Sequence, residues 1–403
     1  MFSIFNKLKL SYQKNFPEII ALQKKNYPEF ILERNPITLR DEIPVFTFHA
    51  VNPVRFEEQL QFLHLNNYQT LSGDELYESI TGLKPIPERG IVLTFDDGWR
   101  NLYSVAYPLL KKYKMKAICF LISGLITSDT SYKENILGER GIDSEILCRW
   151  KEVKEMHEDG TIDFQSHSMY HNRIFIADKV EDFFYPNYNS FAYNLNIPVT
   201  HSNDIENISR ELKLGTPIYK HASKFSGRRR YFDDQELRKK CIDFVELNGG
   251  KNFFRDIKWR KKLFKIVQSY KTNSENRSHF ENEEKYRDSL FFDFLESKRI
   301  IESKLPGKKV NHFCYPWWEG SEAAVEASKK AGYLTNFWGV IPNKRTNKQG
   351  TNPFKISRIL TDEFIFRLPG KDRKTILTIY REKFSANYNR FKKNLIQSDI
   401  NIL

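Results

Sequence analysis

Ile91-Val92-Leu93-Thr94-Phe95-Asp96-Asp97-Gly98-Trp99 is an apolar run that stops in two adjacent carboxylates and a glycine. A short β-prone run bounded by a glycine turn is the pattern of a parallel-sheet strand buried on both faces, and residues 102 to 113 after it read as an amphipathic helix. In such sheets catalytic groups collect at the carboxyl ends of the strands, so this strand delivers acid to a surface. Successive strand side chains point to opposite faces, so Asp96 and Asp97 serve one site only if the chain turns there, which Gly98 permits. An Asx-turn that merely closes the strand is the competing reading.

Upstream, Ile43-Pro44-Val45-Phe46-Thr47-Phe48-His49-Ala50-Val51 repeats the design, with a titratable residue near the end of a β-prone run. Residues 55 to 66 read as a helix, 68 to 71 as a short strand and 72 to 81 as a helix opening Ser-Gly-Asp-Glu, a capping signal. Downstream, residues 116 to 123 form another buried strand, 128 to 147 a loop-rich excursion, 150 to 158 a helix and 161 to 166 a strand. Strands alternating with helices predict an α/β fold on a parallel sheet.

The last of these strands runs into Ser166-His167-Ser168-Met169-Tyr170-His171. Two imidazoles four residues apart at a strand end can converge on one ion. One carboxylate would complete three protein ligands with a position left open for water.

Thr94-Phe95-Asp96-Asp97-Gly98, then His167-Ser168-Met169-Tyr170-His171, then Phe313-Cys314-Tyr315-Pro316-Trp317 resemble, in order and position, the three motifs of the polysaccharide deacetylase family. Trp150 to Gly160 resembles that family's run-up to its histidine motif, and Phe48-His49 resembles its poly-N-acetylglucosamine deacetylase branch. The resemblance covers residues 43 to 171 and 286 to 360. It implies a distorted (β/α) barrel with one divalent metal, usually zinc, at the carboxyl ends of the strands, and hydrolysis of an N-acetyl or related acyl group. By matched motif it implies Asp97, His167 and His171 as metal ligands, Asp96 as general base, His49 as general acid and the amide of Trp317 as oxyanion donor. The chemistry agrees, since a metal polarises the amide carbonyl and acidifies its water while an unligated carboxylate takes the proton.

This chain also departs from the pattern. Cys314 stands where many relatives carry the arginine that orients the base, and Arg358, in Lys355-Ile356-Ser357-Arg358-Ile359, is the candidate replacement, against a reading as a strand-end surface charge. No histidine follows His312, which favours His49 as the acid. Trp150 and Trp318 read as packing residues rather than sugar platforms.

The chain has 403 residues, a net charge of +13 and 40% hydrophobic residues, enough for one large domain with additions or for two. The expected organisation is a basic helical extension over 1–40, the deacetylase barrel over 41–171 and 286–370, a large, mainly helical insertion over 172–285 and a basic helical tail over 371–403. Within the insertion, residues 233 to 247 and 259 to 270 read as helices, and the aromatic run 183 to 193 with Arg228, Arg229 and Arg230 reads as a lid for an anionic glycan or as core and solvated face. The tail would lie on a membrane or on the barrel.

The four cysteines are scattered, which argues against a disulfide scaffold or a zinc knot. The lysines are spread along the chain without a nucleic-acid-binding motif, so no nucleic acid is expected. The segment Met1 to Lys14 has no apolar core or cleavage site, so a cytoplasmic protein, with peripheral contact at the inner face of the membrane, is the expectation. The expected substrate is an N-acetylated oligosaccharide, polysaccharide or lipid-linked sugar. The competing functions are a metal-dependent amidohydrolase of a non-sugar amide and an inactive glycan-binding homologue.

Overall fold

The computed structural model describes residues 19–128, 147–186, 188, 195–199, 212–275, 277–339 and 346–385. In chain order its barrel opens with β1 (Val45–Phe48), α1 (Pro53–Leu65), β2 (Gln69–Thr70), α2 (Gly73–Thr81), β3 (Gly90–Asp97), α3 (Tyr107–Lys112), β4 (Ala117–Leu121), α4 (Trp150–Glu158) and β5 (Ile162–Ser166). The inserted elements are β6 (Arg173–Phe183), β7 (Pro217–Ser223), β8 (Tyr231–Phe232), α5 (Gln235–Leu247), α6 (Trp259–Asn273) and β9 (His279–Phe280). The barrel then resumes with α7 (Glu283–Lys304), β10 (His312–Cys314), α8 (Glu322–Lys330) and β11 (Thr335–Phe337).

The strands pair in parallel in the order β1-β3-β4-β5-β10-β11, with β2 on the first residues of β3. The ring then closes on itself. Ile356 bridges Phe337 of β11 and Ile359 bridges Phe46 of β1, both in parallel, so the extended segment between them fills the gap between the first and last strands. This is the distorted (β/α) barrel that the motifs imply, with its closing segment too short and too polar to stand out in the sequence.

Alternation along the strands sorts two cores. Val45, Val92, Ile118, Phe120, Cys314, Phe337 and Ile356 cluster inside the ring, where Leu76 and Ile80 of α2 join them. Phe46, Leu93, Phe95, Cys119, Phe164 and Phe313 belong to a second cluster that includes residues of the surrounding helices. Helix α7 supplies Tyr286, Leu290, Phe294 and Ile301, the three- and four-residue spacing of one buried face. Helix α2 begins with the expected capping box of Ser72 and Glu75. The helix expected over 102 to 113 starts as a five-residue π-turn, Leu102–Ala106, before α3. The four cysteines are free and buried.

The insertion has its own core, in which Phe175, Phe183 and Tyr219 of one antiparallel pair (β6-β7) pack with Leu237, Val245, Trp259 and Leu263 of α5 and α6. The two expected helices are present, and two antiparallel strand pairs accompany them. Of the suggested arginine cluster, Arg228 and Arg229 are exposed, whereas Arg230 is half-buried over Phe232 and donates to the Val199 carbonyl. Part of the aromatic run, residues 187 and 189–193, lies outside the described residues.

The leading and trailing segments lie together. Arg367 and Arg373 donate to the carbonyls of Phe30, Ile31, Glu33 and Arg34. Residues 376–385 form a helix held to the barrel side by buried Ile379 and by Glu382, which pairs with Arg55 at 2.9 Å and Lys374 at 3.0 Å. Residues 1–18 and 386–403, the rest of the expected extensions, lie outside the described residues.

Glu42, beside β1, is nearly enclosed, and its carboxylate accepts from the Thr346 hydroxyl. Burial pushes its carboxyl up to about 7 against the opposing Thr346 hydrogen bond. A raised carboxyl stabilises the fold fully below its unfolded value and loses that contribution as pH rises through about 7. Glu42→Gln is therefore expected to leave stability at pH 4 unchanged and to raise it at pH 8 by on the order of 1–3 kcal/mol. Thermal unfolding of both proteins at the two pH values checks this, and equal differences at both would sink it.

Candidate active site

Val92, Thr94 and Asp96 share one face of β3, the face turned into the ring. Continued alternation would send Asp97 outward, away from Asp96. Instead Asp97 adopts a left-handed backbone (φ 72°), followed by Gly98 (φ 81°), and the Gly98 amide closes back onto the Asp96 carbonyl at 2.9 Å. The turn thus starts one residue earlier than the glycine suggests. A side chain on Gly98 would also strike Leu121.

Past β5, His167 still donates its amide to the Leu121 carbonyl at 2.8 Å, and the chain then coils tightly, with Ser168 (φ 72°) and His171 (φ 56°) left-handed. The Ser168 hydroxyl accepts from the His171 amide at 2.9 Å. The Met169 amide donates to Asp293 of α7 at 2.9 Å, and Lys224 of the insertion braces the other oxygen of that carboxylate at 3.0 Å. Asp293 and Lys224 support the histidine turn, yet no motif in the sequence marks them.

These two turns bring three ligand atoms together. Asp97 Oδ1 lies 3.4 Å from His167 Nε2 and 3.6 Å from His171 Nε2. Atoms bound at about 2.1 Å in a tetrahedral zinc site are about 3.4 Å apart, so the spacing suits one ion. The remaining groups agree. Trp99 Nε1 donates to Asp97 Oδ2 at 2.9 Å, while buried Oδ1 has no hydrogen-bond donor among the described residues. The Cys314 carbonyl lies 2.8 Å from His167 Nδ1, which sets the tautomer with Nε2 as the free lone pair. Burial pulls the His167 imidazole below its ordinary value against the opposing carboxylates of Asp96 and Asp97, which favours the neutral, ligating form.

Asp96, His167 and Cys314 also lie close enough to hold an ion. Both oxygens of Asp96 are already occupied, however. Arg358 Nη1 and Nη2 donate to Oδ1 and Oδ2 at 2.7 and 2.9 Å, and Arg358 Nε donates to the Trp338 carbonyl at 2.8 Å. Burial also drives the Cys314 thiol well up, away from the thiolate a metal needs. The Asp97 set is the better cage.

Arg358 is fully buried, not a surface charge. It comes from the segment that closes the ring and reaches Asp96 beside Cys314, whose sulfur is 3.8 Å from Asp96 Oδ1. Burial raises the Asp96 carboxyl, but the Arg358 charge, helped by His167, outweighs it and holds the group well below the usual carboxylate range. His49 follows β1, level with Asp96 through the Phe48 to Phe95 register, and its charge bears on Asp96.

Trp317 (φ 58°) sets its ring edge against His171, centroids 4.8 Å apart, and Arg173 lies over it at 4.8 Å while donating to His221 Nδ1 at 2.8 Å. Trp318 is 45% exposed, which corrects its reading as a packing residue; half-buried Trp150 packs against the core. His312 sits elsewhere, between Thr335 and Asp74. Left-handed Asp97, Ser168, His171, Trp317 and Trp318 all surround this one mouth, the kind of strain that gathers at functional sites.

Comparison with known proteins follows the same lines. Residues 84–192 match the sequence model of the family described as polysaccharide deacetylase. The chain is 28% identical over 130 residues to the poly-β-1,6-N-acetyl-D-glucosamine N-deacetylase of Escherichia coli K12, covering 32% of this chain and 19% of the relative. It is 30% identical over 121 residues to the enzyme of that name from Staphylococcus aureus, covering 30% of this chain and 37% of the relative. The matched region is thus less than half the length of these relatives. In structure it resembles a de-N-acetylase from Aggregatibacter actinomycetemcomitans, with a TM-score of 0.52, 18% identity and coverage of 85% of this chain and 99% of that one. Ordered motifs, a ring of parallel strands and the family match agree in what they point to: over residues 84–192 the chain is similar to polysaccharide deacetylases.

Proposed function

We propose that this protein is a metal-dependent hydrolase that removes N-acetyl groups from an amino-sugar glycan. The observation that carries the reading is the Asp97, His167 and His171 cage, with an unsatisfied buried carboxylate oxygen 3.4 and 3.6 Å from two imidazole nitrogens. One carboxylate and two imidazoles suit zinc, with room left for water and substrate. Bound there, the ion would polarise the amide carbonyl and acidify water.

The chain's own residues supply the rest. Asp96, held ionised and aimed by Arg358, takes the proton from the attacking water as the new carbon–oxygen bond forms. The Trp317 amide donates to the developing oxyanion. His49 gives a proton to the departing nitrogen as the carbon–nitrogen bond breaks, leaving acetate and a free amine. The names of the relatives support a poly-N-acetylglucosamine-like substrate.

Acetylated β-1,6-glucosamine oligosaccharides should release acetate with a matching mass loss. Chelator-stripped protein should lose this activity and regain it with added zinc. Unchanged oligosaccharides together with hydrolysis of a small cyclic amide would hand the site to the amidohydrolase reading. Stripped protein that still releases acetate would remove the metal from the scheme.

A further inference from the structure

The net charge is distributed far less evenly than the lysines. Residues 251–271 carry eight lysines and arginines against one aspartate, +7 of the chain's +13. They span the connection from α5 to α6 and most of α6, at one end of the insertion. Lys251, Arg255, Lys258, Lys261 and Lys265 are exposed, and none of the ion pairs of the described residues includes them. The single acid, Asp256, is paired with Lys262 at 2.7 Å.

Large apolar side chains stand among these cations. Leu247, the last residue of α5, is 86% exposed and Ile257, just before α6, is 90% exposed. Both lie at the same end of the helix pair, because the connection from 248 to 258 is all that separates α5 from α6. Phe264, one and a half turns into α6, is 37% exposed. Two aliphatic side chains held almost wholly in water contribute nothing to the insertion's core, which Phe253, Trp259 and Leu263 already fill.

The end is remote from the catalytic mouth. β6 starts with Arg173 over Trp317, and its last residues meet α6 through the Asp182 to Arg260 pair and the Phe183 to Phe264 contact. At about 3.3 Å per residue, eleven residues carry the chain roughly 30 Å from the rim. The basic end is therefore not a wall of the substrate site.

We infer that this end of the insertion is a docking surface for an anionic lipid bilayer. Cations meet the headgroups by charge complementarity, and Leu247 and Ile257 enter the boundary beneath them, as in interfacial amphipathic segments. An anionic polymer would use the cations alone and leave the aliphatic pair in water.

Sedimentation of the whole protein with vesicles tests this. Phosphatidylcholine vesicles containing phosphatidylglycerol should carry it down at ~0.1 M salt, vesicles of phosphatidylcholine alone should not, and binding should fall at ~0.5 M salt as the Debye length shortens. The triple variant Lys258→Glu, Lys261→Glu, Lys265→Glu should bind at least about ten-fold more weakly. Leu247→Ser with Ile257→Ser, which keeps every charge, should also lose binding to vesicles while retaining elution from heparin at the wild-type salt concentration. Wild-type protein that stays in solution, or an aliphatic variant that sediments like wild type, would overturn the inference, the latter in favour of a polymer. Both variants should keep the wild-type melting temperature and soluble-substrate turnover, because no altered residue touches the core or the mouth.

Discussion

Asp97→Ala is expected to abolish bound metal and acetate release together, the largest effect of any single change. Altering a group that merely supports a ligand typically costs 10–100-fold in metal affinity, so losing the only charged member of the cage should cost at least about 100-fold. The two remaining imidazoles are neutral and cannot balance a divalent charge. The stability of the metal-free protein supplies an independent readout. There the change removes a buried carboxylate oxygen without a donor among the described residues but also the acceptor of Trp99 Nε1, so the apo variant should lose no more than about 1–2 kcal/mol of stability against the apo wild type. Full zinc occupancy in the variant, measured by elemental analysis, would refute the ligand assignment.

Arg358→Met is expected to cost about 3–5 kcal/mol of stability and, independently, about 10²–10⁴-fold in turnover. The first loss arises because Asp96 stays buried with its counter-charge gone. The second arises because the base is no longer aimed. The pH dependence has a definite sign. In the wild type the Asp96 carboxyl is lowered, so its contribution is present above the unfolded carboxyl value and is lost as pH falls toward the lowered one. Without Arg358 burial prevails and the carboxyl rises, so the variant should be closest to wild type in acid and furthest from it at neutral pH. Adding Asp96→Asn removes the orphaned charge and should restore much of the stability but none of the activity, a coupling measurable by a double-mutant cycle. Wild-type unfolding and turnover in Arg358→Met would dismiss the pairing.

The barrel and the convergence of the candidate ligands were legible because they rest on local pattern. Buried strands written as continuous apolar runs, and motifs whose residues are neighbours in sequence, lead directly to Asp96, Asp97, His167 and His171. What depends on distant segments was less accessible. Arg358 could be named from its resemblance but read equally as a surface charge, since its partner is 262 residues away. Asp293 and Lys224 meet at the histidine turn from α7 and the insertion, and nothing in either segment's periodicity marks them. The strands β6 and β7 were missed because their alternation is broken by bulges and by polar residues on an exposed face. The position of the turn at Asp97 was also hidden, because a left-handed aspartate leaves no signature beside a glycine that could have served instead.

The segment from Ile356 to Ile359 that closes the ring also sets a timetable. On a ribosome the motif strands emerge first, and Val45 must wait more than 300 residues for the amide of Ile359. Pairings this far apart in sequence are slow, because the loop they close must first be ordered. Until that happens the interior lacks its seventh wall, and the buried carboxylate of Asp96 lacks the Arg358 guanidinium. Ring closure and pairing of Asp96 with Arg358 are then one event. On the proposed roles, a nascent or C-terminally nicked chain would carry Asp97, His167 and His171 yet lack the group that holds Asp96, so activity would report on the arrival of the last strand.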